Sequence, residues 1–225
     1  PAIGSDMAFA YKVSGYNRKR KWALFERLIR PTPDLTVLDV GFNEIEHSST
    51  DNYIEKHYPW RAQMTALGTD APLTFSRRYP EIRAVQYDGT TFPFADGAFD
   101  VCWSNAVLEH VGRHEDRWAA QVYFLREIAR VSRSAFVTTP NKRFPVEVHT
   151  RTPLLHWLPK PLFDAYLRKR GQDWAAGDYM DLLTLGDLRR LMRDAGIDKY
   201  RVIQNRLMGL TVDFAIAWGE RVAPG

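Results

Sequence analysis

Apolar positions along this chain fall into two periods. Residues 17–30 (NRKRKWALFERLIR) place Trp22, Leu24, Phe25, Leu28 and Ile29 at near-helical spacing, and Pro31 and Pro33 stop the helix they predict. Short runs rich in β-branched and apolar residues then read as strands: TVLDVG (36–41), MTALGTD (64–70), RAVQYDG (83–89), FDVCWSNAVL (99–108) and SAFVTTP (134–140). DNYIEKHY (51–58) and WAAQVYFLREIARV (118–131) carry helical signals between them. TLGDLRRLMRDAGI (184–197) reads as a capped helix, with Thr184 as N-cap, Asp187 three residues on and Gly196 at the C-terminal end. YRVIQNRLMG and TVDFAIAWG close the pattern as two strands meeting near Gly209. Strands alternating with helices imply an open, mostly parallel sheet covered on both faces. The closing pair is joined too tightly for a crossover helix, so one of its strands runs antiparallel. Ligands in such sheets sit at the carboxyl ends of the strands.

Composition narrows the class. A length of 225 residues suits one full domain with an addition. The net charge of +4 is mild, which argues against a nucleic-acid partner and permits a small anionic one. Cys102, the single cysteine, lies in an apolar run and is expected to be a buried structural thiol. No run approaches the ~20 apolar residues of a membrane span, and a cytoplasmic protein is expected. PAIGSD before Met7 is set aside as a remnant of cloning, and residues 1–16 as an N-terminal extension that can act as a lid.

Three strand ends carry acids: Asp39, Asp70 and Asp88. Pyrophosphates want glycines, helix N-termini and positive charge, whereas carboxylates suit a nucleoside's hydroxyls and amines. No phosphate-binding G-x-x-x-x-G-K-[ST] loop occurs. VLDVG, then YDG, then FPFADGAFDVCWSNAVLEHV resembles the class I S-adenosylmethionine-dependent methyltransferases of the type 11-like family, over about residues 36–140. The resemblance implies a Rossmann-like, seven-stranded, mostly parallel sheet with an antiparallel last strand and methyl transfer from S-adenosyl-L-methionine. It also implies that Asp39 and Gly41 form the cofactor loop, Asp70 holds the ribose, and Asp88 and Gly89 lie at the adenine. Ser104 and Asn105 fall beside the methionyl part or the methyl donor.

The loop departs from the family's Asp-x-Gly-x-Gly, because Asn43 stands where the last glycine belongs. Asn tolerates left-handed geometry next best after glycine, so Asn43 is expected to keep the turn. Glu44 then meets the cofactor's amino group or faces solvent, and Glu46 is expected to face solvent. The same departure leaves open a degenerate, non-catalytic binding or interaction protein. Glu109-His110 with His149 resembles a divalent-metal set, but Ala106 occupies the position of the earlier acid, so no metal is expected.

The stretch 141–180 is too long for a plain crossover and reads as a cap inserted in a single domain spanning 17–225. It carries Phe144, Trp157, Phe163, Tyr166, Trp174 and Tyr179 among seven cations and only four acids. A satellite helix packed on the sheet is the competing reading. LLHWLPKPLFDAYLRKR also offers a membrane-surface contact, although its prolines interrupt a long amphipathic helix. Substrate contacts are expected from Tyr11, Tyr16, Phe144, Arg151 and Trp157. The expected reaction is methylation of a small molecule, O-methylation being preferred, with His149 as general base and His110 as the next choice.

Overall fold

The structure is a computed structural model. It describes residues 3–222 apart from 148, 149, 151 and 178; the side chains of residues 3–14 and of His114 also lie outside the description. Seven strands form one sheet: β1 (Val37–Val40), β2 (Met64–Gly68), β3 (Arg83–Gln86), β4 (Phe99–Asn105), β5 (Ser132–Pro140), β8 (Tyr200–Leu207) and β9 (Leu210–Gly219). Their spatial order is β3-β2-β1-β4-β5-β9-β8. The first five run parallel, and β9 pairs antiparallel with both β5 and β8. The seven strands fall where the sequence patterning places them, and the reversal sits in the closing pair.

Continuous apolar runs make the inner strands because both sheet faces are covered. One face packs Leu38, Val40, Cys102 and Val137 against α4 (Arg117–Val131) and α6 (Leu185–Asp194). The other packs Val37, Val101, Trp103 and Phe136 against α1 (Ile3–Ile29), α2 (Tyr53–His57) and α3 (Leu73–Arg78). There Trp103 stacks on Phe136 at 5.1 Å between centroids, and Phe25 of α1 meets Trp103 edge-on at 5.1 Å. Cys102 is fully buried, and burial pushes its thiol well up.

α1 starts far earlier than the expected Asn17, so the extension and the predicted helix are one continuous element. No proline lies between residues 3 and 29 to break it, and Pro31 follows its end. α6 has the expected capping box: the Asp187 amide donates to the Thr184 hydroxyl, and the Thr184 amide donates to the Asp187 carboxylate. Gly196 follows with φ +78°, the left-handed stop of that helix.

Between β5 and α6 runs a ribbon of β6 (Val146–Glu147) and β7 (Thr152–Pro153), a 3-10 turn at Leu155–Trp157, and α5 (Lys160–Lys169). Phe163, Leu167 and Ala175 form a small core of its own, separate from the two sheet-face cores. Among the described residues, no helix is long and apolar enough to cross a membrane.

Candidate functional site

The carboxyl ends of β1, β2, β3 and β4 lie side by side because Val40 pairs with Leu67 and Ser104, and Gly68 with Gln86. Gly41 leaves β1 with φ +103°, its amide donating to the Leu67 carbonyl at 2.8 Å. A Cβ there would come within 2.3 Å of the Val107 side chain, so only glycine fits. Phe42 turns back over β2, packing on Phe75 at 4.5 Å and against bare Gly68, where a Cβ would meet its ring at 2.6 Å.

Asn43 does not take the left-handed geometry expected of it; Asn52 does, with φ 47°. The reason is a side-chain clamp. Asn52 accepts from the Asn43 amide at 2.7 Å and donates to the Asn43 carbonyl at 2.8 Å, which holds the loop without a second glycine. Glu46 is not the solvent-facing group expected either. It accepts from the Tyr79 hydroxyl (2.6 Å) and Asn52 (3.1 Å), and pairs with Lys56 and Arg78, each at 2.8 Å. Glu44 accepts from the Thr74 and Phe75 amides at the start of α3. Both glutamates therefore build the loop's walls.

Asp39 is buried on the α1–α2 face, opposite the buried carboxylate of Glu55 on α2. No donor reaches either Glu55 oxygen, so the two carboxyls can hydrogen-bond only if one keeps its proton. Burial, then the charge of Glu55, pushes Asp39 well above the usual carboxylate range, and burial raises Glu55 as well. Arg18 of α1 lies among Asp51, Asp213, Asp39 and Glu109, yet makes no hydrogen bond or ion pair with any described residue. Burial lowers its pKa, and those four carboxylates work against the shift.

Asp70 and Asp88 are exposed at the ends of β2 and β3. Asp88 accepts the Thr90 amide at 2.9 Å and its hydroxyl at 2.6 Å, which holds its carboxyl below the usual range. Gly89 follows with φ +86°, beside Thr69. Ser104 turns inward, fully buried, and donates to the Val40 carbonyl at 3.3 Å. Asn105 accepts from Lys21 of α1 at 3.2 Å and from the Thr138 hydroxyl at 2.9 Å. Lys21 also pairs with Asp213 of β9 at 3.2 Å, which clasps α1 across the strand ends. Arg18, Lys21 and Glu55 were not read from the sequence as site residues, because all three look like ordinary helix-surface charges there.

On the β4–β5 side, His110 holds its Nδ1 2.8 Å from the Tyr179 carbonyl, with the two rings edge-on at 4.7 Å. A carbonyl only accepts, so Nδ1 carries the proton and Nε2 is the basic nitrogen. The Asp181 amide donates to the Glu109 carbonyl at 2.8 Å, and the Glu109 carboxylate accepts from Thr139 at 2.9 Å. A cavity of about 290 Å³ opens beside these contacts, between Arg117, Trp118 and Gln121 of α4 and Lys160, Met180 and Asp181. Phe144 is half-buried, and Tyr16 and Trp157 are exposed. Tyr11 belongs to α1 with its side chain outside the described residues, as are His149 and Arg151 altogether.

Residues 53–135 match the family model described as a methyltransferase domain, beginning just past the altered loop. An uncharacterized methyltransferase of Mycolicibacterium gilvum (strain PYR-GCK) is 41% identical over 86 residues, which are 36% of this chain and 31% of that protein. The chain thus matches less than a third of that relative's length. Among solved structures, the methyltransferase domain of bacterial CtHen1 aligns with TM-score 0.55 at 14% identity, over 91% of this chain and 99% of that one. The trans-methyltransferase CalH in complex with SAH gives 0.55 at 17%, over 94% and 59%. The 1,6-didemethyltoxoflavin-N1-methyltransferase of Burkholderia thailandensis gives 0.54 at 15%, over 95% and 84%. At these identities the likeness is one of fold.

Proposed function

From the premise that this chain carries a methyltransferase domain of the class I, S-adenosylmethionine-dependent fold, we propose that it methylates a small-molecule acceptor. The observation that carries the reading is the Arg18 guanidinium at the end of β1, near Asp39, Asp51, Asp213 and Glu109 but hydrogen-bonded to none of the described residues, beside a loop that only Gly41 fits. S-adenosylmethionine presents a carboxylate, an ammonium, a ribose diol and an adenine amine. Arg18 suits the carboxylate, the Asp39–Glu55 pair the ammonium, Asp70 the diol and Asp88 with Gly89 the adenine side. When bound, the cofactor supplies a sulfonium-linked methyl group for in-line displacement.

The chain's own part is to hold and to exclude. α1, clasped by Lys21 to Asn105 and Asp213, covers the strand ends and fixes Arg18 over them. The cavity between α4 and the 141–180 segment, walled by Met180 and Asp181 just past the Tyr179 carbonyl that meets His110, gives an acceptor room, and that segment acts as the substrate cap. Orientation of the acceptor is the main catalytic lever, worth up to ~7–11 kcal/mol. His110, its tautomer set by the Tyr179 carbonyl, removes the proton of a hydroxyl acceptor, which favours O-methylation. His149 is retained as a second candidate base.

Calorimetric titration with S-adenosylhomocysteine tests the reading. Wild type should bind, and Arg18→Met should bind at least about tenfold more weakly, the scale of one lost charge-assisted contact. Absence of heat at millimolar ligand would sink the proposal. A second reading, a binding protein without catalysis, draws on the Asn52 clamp, because the Asn43 amide and carbonyl are already engaged. Ligand binding without methyl transfer to any hydroxyl acceptor tried would favour it.

A further inference from the structure

Four large apolar side chains stand in water within nine residues of the 141–180 segment. Leu154, Trp157, Leu158 and Leu162 are 52, 52, 42 and 59% exposed. None of them joins the small core beneath, because α5 already directs Phe163 and Leu167 inward, one turn apart. Leu162 therefore points away from that core, with Ala165 and Lys169 likewise exposed at the i+3 and i+7 positions. Leu154, the left-handed N-cap of the 3-10 turn (φ 60°), and Trp157 at its end are both exposed, while His156 between them is buried.

This corner is bound to a cationic strip. The Trp157 indole N–H donates to the Lys142 carbonyl at 2.8 Å, and His156 Nε2 lies 3.0 Å from the same oxygen. That fixes the exposed indole next to Lys142 and Arg143, both exposed, while Arg168, Lys169 and Arg170 stand exposed at the far end of α5. Nearby acids do not cancel these charges. Glu147 is buried, Asp164 is buried and paired with Lys160 at 3.1 Å, and exposed Asp173 just past α5 offsets one of the five exposed cations. Leucines and an indole interleaved with long cationic side chains are what the interfacial layer of a bilayer accepts: apolar groups reach the acyl boundary and ammonium or guanidinium heads meet lipid phosphates.

We infer that residues 154–170, with Lys142 and Arg143, form a docking surface for an anionic bilayer. Leu154, Trp157, Leu158 and Leu162 enter the headgroup boundary, and the cations lie along the phosphate layer. The surface shares the 141–180 segment with the proposed substrate cap, but Leu158, Leu162, Lys142 and Arg143, which the test changes, line neither the cavity nor the cofactor loop.

Flotation with vesicles of phosphatidylcholine and phosphatidylglycerol, against phosphatidylcholine alone, tests it. Wild type should float with the anionic vesicles and at least about fivefold less with neutral ones or at high salt. L158E/L162E should lose at least about tenfold in partition, and Leu73→Glu, at a still more exposed leucine of α3, should float like wild type. Circular dichroism establishes that each variant is folded; should L158E/L162E not fold, K142E/R143E replaces it with the same expectation. Wild type staying out of anionic vesicles, or a folded double variant floating as well as wild type, would overturn the inference. So would a dimer in sedimentation velocity that L158E/L162E breaks while vesicles bind nothing, which would assign the surface to a second copy.

Discussion

Two carboxyls facing each other under a ligand loop are costly. Asp39 and Glu55 are both raised, chiefly by burial, so the folded protein keeps a proton on the pair to higher pH than the unfolded chain does. Stability from such a pair is fully present below the unfolded pKa of about 4 and is lost as pH rises through the folded values. Glu55→Gln supplies an amide donor to Asp39 without needing that proton. Its melting temperature should exceed wild type by about 2–6 °C at pH 8 and differ little at pH 5, for a gain of about 1–2 kcal/mol. Equal shifts at the two pH values would refute the shared proton. Asp39 was legible in the sequence because a buried strand ending in an acid is unusual. Glu55 was not, since an acid in the first turn of a helix reads as ordinary dipole chemistry. Asn43 was misread for a related reason: the left-handed preference of Asn is local, and a partner nine residues on took the strained geometry instead.

Elements with their own end signals were the readable ones. α6 declared its start through Thr184 and Asp187 and its stop through Gly196, and both signals hold. Thr184→Ala removes the acceptor for the Asp187 amide and should cost about 1 kcal/mol, seen as a melting temperature lower by about 2–4 °C. No change on calorimetry would mean that packing of Leu188, Leu191 and Met192 alone sets this helix. α2 and α3, at 5 and 6 residues, carry no side-chain N-cap hydrogen bond, and tertiary packing specifies them. For α3 the capping groups come from Glu44, some 30 residues earlier, which no local window could find. The start of α1 was missed because nothing in residues 3–16 forbids or demands a helix.

At the scale of the molecule, two large cores flank one sheet and a third, of three buried residues, holds the 141–180 segment. A core that small supports few protected hydrogen bonds. Amides of α5 should exchange at least about a hundredfold faster than those of β4 and β5 in a hydrogen-exchange experiment read by mass spectrometry. Protection in α5 equal to that of β4 would show the segment to be locked onto the sheet. The sheet itself was legible as a whole, because buried parallel strands must be written as apolar runs. Where the segment's aromatics point was not, since Trp157 and Trp174 have the same composition signal whether they line a pocket or meet water.

The strand order has a consequence for synthesis. β9 comes after β8 in the chain yet sits between β8 and β5, pairing with β5 from Ser134 to Pro140. Until residues 210–219 have been made, that apolar border of β5 has no neighbour, and β8 has nothing to attach to. A nascent chain therefore carries an open strand edge from the completion of β5 until β9 is made, and closes it in one late event. Slow codons or a chaperone acting before that moment would govern the yield of soluble protein more than any change in the finished fold.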